Sequence, residues 1–375
     1  VSIDVRPVSG RRDLREFIDL PYRLHSTSPV WVPPLRLERW MFLTKRLNAF
    51  FKHGDARLFL ARRDGRVVGR ISAQYDDAFN AHHDNRWGMF GFLELEDDPE
   101  ILPALLEPAK AWLVAHGRDH MIGPMDFTMN DESGVLVEGF ELMPMIRQPW
   151  HPPYYQARCE EAGLAKAMDL FSWDLHMDNR AGMPRMIFKL AEEVGPRHGI
   201  RIRRMSRRGL RKDMDRFADV YNSAWSENWG FTPYGKADLD AYALDLQLVF
   251  DPNWFMVAET REGDTAAIAI TIPDVNQALV RMNGRLLPLG WLTYLRRRRY
   301  IDRMRVGFLG VKPAYQHTGV AAALYVEHFD TAARTGLAKG EAGWILESNR
   351  NMNRALEAMG GVVVRRFRVY EQSLA

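Results

Sequence analysis

The strongest chemical signal in the chain is the run Gln316-His317-Thr318-Gly319-Val320-Ala321. An apolar, strand-like stretch at residues 306–311, closed by Lys312-Pro313, leads into it. Ala322, Leu324, Val326, Phe329 and Ala332 follow as a helical pattern that stops at Gly336. A strand feeding a glycine-containing turn that opens a helix presents unpaired backbone N–H groups and a positive dipole end. Such a site suits a diphosphate. The competing reading is a plain strand–loop–helix connection whose single glycine only makes the turn.

Gln-x-x-Gly-x-Ala resembles the acyl-CoA pyrophosphate loop of the GNAT N-acyltransferase superfamily, whose pattern is Gln/Arg-x-x-Gly-x-Gly/Ala. The resemblance implies acyl-CoA as co-substrate, held by Val311, Gln316, His317, Thr318, Gly319, Val320 and Ala321. It also implies an Asn beside the pantetheine arm at the start of a later helix, and Asn349 stands there, with a plain helix cap as the alternative. The family often carries a Tyr further along that helix to protonate the leaving thiolate. Leu356 occupies that position, so the general acid is unassigned. Many relatives hold a Glu on the strand before the loop, but residues 306–311 contain no carboxylate. Glu347 is then the first candidate to take the amine proton and His317 the second; a helix-start role is the alternative for Glu347. The chemistry needs a neutral amine, an acyl carbonyl polarised by strand N–H groups, and a proton acceptor.

These residues must be positioned by elements that recur. In the first half, strand patterns fall at residues 3–8, 89–95, 121–124 and 171–175, and helical ones at 11–24, 37–51, 99–116 and from 155. A hairpin joins residues 56–61 and 66–73 through Asp64-Gly65. A linker helix at 184–193 precedes Gly195-Pro196, where a new domain starts. The order then repeats: strand 200–205, helices 217–225 and 236–250, hairpin 254–259 with 266–272, the strand–loop–helix unit, strand 342–346, helix 349–359 and strand 362–370. This predicts an α/β protein with α+β character and a mixed sheet, built as two GNAT-like domains in tandem. Residues 1–178 form the first, 179–199 the linker, and 200–375 the acyl-CoA-binding domain, with an insertion at about 275–304. Where the first domain would carry a CoA loop it has Glu96-Asp97-Asp98-Pro99-Glu100, whose four carboxylates suit a helix N-terminus but repel a pyrophosphate.

Residues 123–174 read as a long ordered loop rich in proline and aromatics. Asn130, Glu132, Tyr154 and Tyr155 are its candidate substrate-binding residues, with capping, solvation or packing as the alternatives; Asp131 and Glu132 offer half of an acid–base pair. The insertion contains an apolar block at 286–295 followed at once by Arg296 to Arg299. It fits a segment lying on an anionic bilayer, the wall of an acyl channel, or a packed hairpin. The basic cluster of Arg201, Arg203, Arg204, Arg207, Arg208, Arg211 and Lys212 faces that same surface or the CoA phosphates; a nucleic-acid reading is the alternative, but no aromatic platform or DNA-reading motif accompanies it.

The totals narrow the class. A chain of 375 residues with net charge +3 gives no general argument for nucleic-acid binding. Cys159 is the only cysteine, which excludes an intrachain disulfide and fits a reducing compartment. The histidines show no ligand spacing, so no metal is expected. The first residues lack a signal-peptide pattern, and no apolar run spans a bilayer, which suggests a cytoplasmic protein, extending to the inner face of the membrane. Gly123-Pro124, Gly134-Val135-Leu136-Val137-Glu138-Gly139-Phe140, Pro152-Pro153-Tyr154-Tyr155, Asn283-Gly284-Arg285-Leu286-Leu287-Pro288 and Gly310-Val311 resemble a bacterial GNAT-like family that includes the bacterial ceramide synthases. That resemblance implies transfer of an acyl group from acyl-CoA to a primary amine, extending to a long acyl chain on a sphingoid base. Acetyl transfer to a small amine or peptide, and a non-catalytic scaffold binding a partner or membrane, are the other readings.

Overall fold

The computed structural model describes residues 2–178 and 180–374. Its contacts divide the chain into two units, each discontinuous in sequence. Unit 1 comprises Val1–Leu170, Asn276–Arg298 and Arg365–Ala375, and unit 2 comprises Phe171–Val275 and Arg299–Val364. Sequence order would keep the insertion and the last strand in the second half. Contacts instead assign both, wholly or in part, to the first unit.

Unit 1 begins with β1 (Asp4–Pro7), α1 (Gly10–Leu24) and α2 (Arg36–Leu43). Then come β2 (Gly54–Arg63), β3 (Arg66–Asp76), α3 (Asp77–His83), β4 (Trp87–Leu95), α4 (Ile101–Ala115), β5 (His120–Gly123), β6 (Val135–Glu138), α5 (Tyr154–Glu161) and the start of β7 (Ala165–His176). The helix expected over 37–51 stops early. Thr44 turns extended at φ −86°, ψ 114°, and the Asn48 side chain accepts from Phe50 N to start a separate 3-10 turn. α3 gave no apolar pattern; Asp76 builds it by accepting from the amides of Ala78 and Phe79. β1 to β4 are joined antiparallel and β4–β5 parallel. α4 packs Ile101, Leu102, Leu105, Leu106 and Leu113 into the core at 1% exposure or less. At about 1.5–3 kcal/mol per large side chain, that face contributes on the order of 10 kcal/mol before entropy is subtracted.

Unit 2 is built on α6 (Arg185–His198), β8 (Arg201–Arg204), α7 (Leu210–Ala224), α8 (Lys236–Val249), β9 (Phe255–Glu259) and β10 (Thr265–Pro273). After α9 (Asn276–Leu279) and α10 (Gly290–Leu295) of the insertion, it resumes with β11 (Arg303–Val311), α11 (Val320–Thr335), β12 (Lys339–Leu346), α12 (Arg350–Ala358) and the start of β13 (Val362–Ser373). α6 runs through Gly195-Pro196, where a domain start was expected, and ends only at Gly199 in the left-handed region. Its residues Ala191 and Val194 pack with Val320, Ala323 and Leu324 of α11, so this helix shares the core of unit 2. β8 to β11 pair antiparallel and β11–β12 parallel, repeating the β1-to-β5 arrangement of unit 1.

Candidate active site

The parallel ladder between β11 and β12 runs from Arg303↔Lys339 only to Val306↔Ala342. β11 continues to Val311 and β12 to Leu346 without further pairing to each other. Beyond that point the Arg305 guanidinium donates to Gly343 O at 2.8 Å, a side chain doing what a ladder bond does elsewhere. The strands therefore part, and the end of β11 turns one edge of its backbone toward the opening.

A cavity of about 630 Å³ lies at this opening, within the range of about 300–1,000 Å³ usual for small-molecule sites. Leu309, Gly310 and Val311 line it from β11, Gln316 from the loop, Ala321 and Tyr325 from α11, and residues 348–352 from around the start of α12. Ala224 at the end of α7 and residues 225 and 227–229 after it form the remaining wall, which includes Trp225, Trp229 and Glu227.

The loop is a 3-10 turn, Pro313–Thr318, followed by Gly319 at φ +79° and then α11. Glycine is required there twice over: the left-handed backbone disfavours any side chain, and a Cβ would come within 3.1 Å of Leu190 O on α6. The Thr318 hydroxyl donates to Tyr315 O at 2.6 Å and accepts from Val320 N at 3.4 Å, fixing the entry to the helix. Val320 is fully buried in the core of unit 2. The first-turn amides of α11 lack intrahelical partners by construction and carry its positive end.

Asn349 caps α12, its side chain accepting from Met352 N at 3.1 Å. Asn353 ties that helix to the end of β12 by donating to Leu346 O at 3.0 Å, while accepting from Trp173 Nε1 at 3.0 Å. Of the sequence-derived candidates, Val311, Gln316, Ala321 and Asn349 line the cavity, and Thr318, Gly319 and Val320 shape the loop behind it. His317 is exposed, packs edge-on against His198 at 6.1 Å, and is not on the cavity wall. Glu347 is half-buried at the end of β12 and is not on it either.

Two residues that sequence reasoning passed over are on the wall. Tyr325 directs its hydroxyl to Met352 Sδ at 3.6 Å, a weak acceptor, and burial pushes its pKa up to about 12. Among the described residues, Glu227 is the one carboxylate on the wall of this cavity. In the sequence Tyr325 falls within the helix after the loop but outside its apolar pattern, and Glu227 sits in a connection with no motif.

Asn130, Glu132, Tyr154 and Tyr155 belong to unit 1. The Tyr154 hydroxyl donates to Leu95 O, and that of Tyr155 donates to Glu94 Oε2, each at 2.7 Å. Glu94 also meets His25 Nε2 at 2.7 Å, and despite the burial that opposes ionisation, His25 and Arg70 hold its carboxyl down at about 2. Glu132 lies 3.9 Å from Arg39, which also faces Asp126 at 3.5 Å. Burial, then repulsion from Glu132, pushes Asp126 up to about 8, and burial pushes Asp131 up to about 7. The acidic turn of unit 1 is neutralised: Glu96 pairs with Arg23 and Arg66, Asp98 and Glu100 with Arg63, and Asp97 with Arg158. In the basic cluster, Arg203 is bound to Asp213 and Glu259, and Arg204 to Glu327 and Thr331. Among the described residues no group of three or more His, Cys, Asp and Glu is placed to hold a metal ion.

No protein-family model matches the chain. Over 380 residues it is 35% identical to the bacterial ceramide synthase of Caulobacter vibrioides, covering 100% of this chain and 98% of that protein. It is 32% identical to protein YghO of Escherichia coli K12, covering 99% of this chain and 95% of that protein. Among solved structures it superposes on a tandem GNAT protein of the clavulanic acid pathway with TM-score 0.59 at 12% identity, covering 100% and 99% of the two chains. A GCN5-related N-acetyltransferase from Sphaerobacter thermophilus gives TM-score 0.52 at 13% identity, with 99% and 96% covered. With full-length similarity to these relatives, the chain belongs to the family that includes the bacterial ceramide synthase, and its fold is that of the tandem GNAT proteins.

Proposed function

We propose that the protein transfers an acyl group from acyl-CoA to the primary amine of a lipid, with a long-chain acyl group and a sphingoid base as the substrates the ceramide synthase relative suggests. The observation that carries this reading is the cavity at the parted ends of β11 and β12, walled by Val311, Gln316, Ala321, Asn349 and Tyr325. The pyrophosphate sits on the first-turn amides of α11. The pantetheine arm follows β11 past the Asn349 amide group, and the acyl chain lies against Trp225 and Trp229.

The β11 N–H groups that β12 leaves behind hold the thioester carbonyl and stabilise the oxyanion formed when the amine attacks. A C–N bond forms as the C–S bond breaks. Glu227 accepts the amine proton, and the Tyr325 hydroxyl, otherwise facing only a thioether, donates to the departing sulfur. Glu347 and His317 act less directly in this scheme, since neither is on the cavity wall. Unit 1 takes no part in binding CoA. Its acidic turn is closed by four arginines. An acceptor of this kind resides in a bilayer, so in this reading the enzyme works at a membrane surface.

The test is release of free thiol from acyl-CoAs of rising chain length in the presence of sphinganine. The expected result is release that grows with chain length. No release with any chain length overturns the proposal. Preference for acetyl-CoA with indifference to vesicles moves the acceptor to a small soluble amine or peptide.

A further inference from the structure

Residues 276–298 of the insertion belong to unit 1, where they meet the link between α1 and α2. Arg36 N donates to Gly284 O at 3.2 Å, and the Arg36 guanidinium stacks 3.6 Å over the Tyr22 ring. The fit is tight enough that a Cβ on Gly284, at φ +69°, would come within 2.5 Å of that ring. The start of α2 and the insertion are thus locked side by side.

Both segments carry large apolar side chains that nothing covers. Leu37, Trp40, Met41 and Leu47 follow the Arg36 contact, and Leu287, Leu289, Trp291 and Leu295 follow the Gly284 one, with exposures between 43% and 73%. These eight are more than half of the fourteen exposed large apolar residues among the described residues, and they sit in two short stretches. A concentration of this kind marks an interaction surface. Charge decides what it meets. Residues 276–298 contain five arginines, Arg281, Arg285 and Arg296 to Arg298, and no carboxylate, in a chain whose 51 basic and 48 acidic residues otherwise nearly balance. Two copies of such a face would repel each other. An anionic bilayer surface complements both its apolar and its basic parts.

We propose that α2 with the turn after it, and the α10 segment with its arginines, together form a docking edge of unit 1 for an anionic lipid bilayer. The edge lies on the membrane and does not cross it. α10 has only six residues, and no described helix is long and apolar enough to span. Trp40 and Trp291 enter at headgroup depth, as interfacial tryptophans do, and Arg296 and Arg298 meet lipid phosphates. The edge gives the acyl-transfer reading its access to a lipid amine, and rests on that reading only for its purpose.

The experiment is vesicle flotation without acyl-CoA or amine, so failure of the acyl-transfer reading leaves it unaffected. Phosphatidylcholine vesicles, alone and mixed with phosphatidylglycerol, are the probes. The protein is expected to float with the mixed vesicles, less so as salt rises. The double variant Arg296→Gln/Arg298→Gln should lower the partition coefficient roughly 25-fold, about fivefold per arginine. Trp40→Glu/Met41→Glu and Leu289→Glu/Trp291→Glu should each remove most of the binding, with thermal melts unchanged. Equal binding to both vesicle types, or none, overturns the proposal. So does retention of full binding by the Trp40/Met41 variant, or a wild-type dimer that these variants dissociate.

Discussion

Gly319 offers a quantitative test of how the loop is held. Replacement by alanine forces a side chain into the left-handed region at φ +79°, at a cost of about 1–2 kcal/mol. The new Cβ also meets Leu190 O at 3.1 Å and Leu190 Cβ at 3.3 Å, so α6 or the loop must give by a few tenths of an ångström. Overpacking against main chain typically adds about 1–3 kcal/mol. Gly336, at the other end of α11, is the internal control: its φ is +73° but nothing lies within 4 Å of its Cβ position. Gly336→Ala should therefore lose only the backbone cost, and Gly319→Ala about 1–3 kcal/mol more. Because the displaced amides are those assigned to the pyrophosphate, Gly319→Ala alone should raise KM for acyl-CoA, by about tenfold for each 1.4 kcal/mol of binding lost. Urea unfolding and thiol-release kinetics measure the two effects. Equal destabilisation of the variants, or an unchanged KM in Gly319→Ala, would refute the reasoning.

Three further outcomes are expected. Tyr325→Phe should lower kcat by about 10²-fold with KM for acyl-CoA little changed, and normal turnover would remove the phenol from the mechanism. Glu227→Gln should lower the rate near neutrality and recover as rising pH deprotonates the amine without help; a uniform loss across the pH range would argue against a base. Asp126 has its carboxyl raised from 3.8 to about 8 by burial and by Glu132. A carboxyl raised on folding contributes stability that is complete below about 3.8 and is lost as pH rises toward 8. Asp126→Asn should flatten that decline in urea-unfolding midpoints between these limits, and parallel curves for variant and wild type would exclude the assignment.

What the sequence revealed was local. The β2–β3 hairpin, the α4 face and the β11–loop–α11 unit are each written in neighbouring residues, through Asp64-Gly65, a helical apolar period, and Gly319. The acidic turn at Glu96 was legible as an obstacle to pyrophosphate. Its four arginines come from residues 23, 63, 66 and 158 and could be placed only by the fold. Proline at 196 read as a boundary, yet α6 continues past it to His198, although the proline ring removes one i→i−4 hydrogen bond there. Tyr325 and Glu227 become visible only when the strands part and a cavity forms between elements distant in sequence. The insertion's composition could be read directly, but its attachment to α2 depends on the Arg36–Gly284 contact across some 250 residues.

The placement of β13 has a consequence for how the chain is made. Arg366 to Arg368 pair with β6, and Tyr370 to Ser373 pair with β5, so unit 1 is completed by residues synthesised about 230 to 250 positions after those partners. On the ribosome, the first unit must wait with the β5 edge unpaired while the whole of unit 2 emerges, and an open edge is where strands of other chains add. Pairings of such long sequence separation also slow folding. A nascent chain of this protein is thus most exposed to misassembly just before its last strand is released, and a fragment ending before residue 365 lacks the strand that closes unit 1.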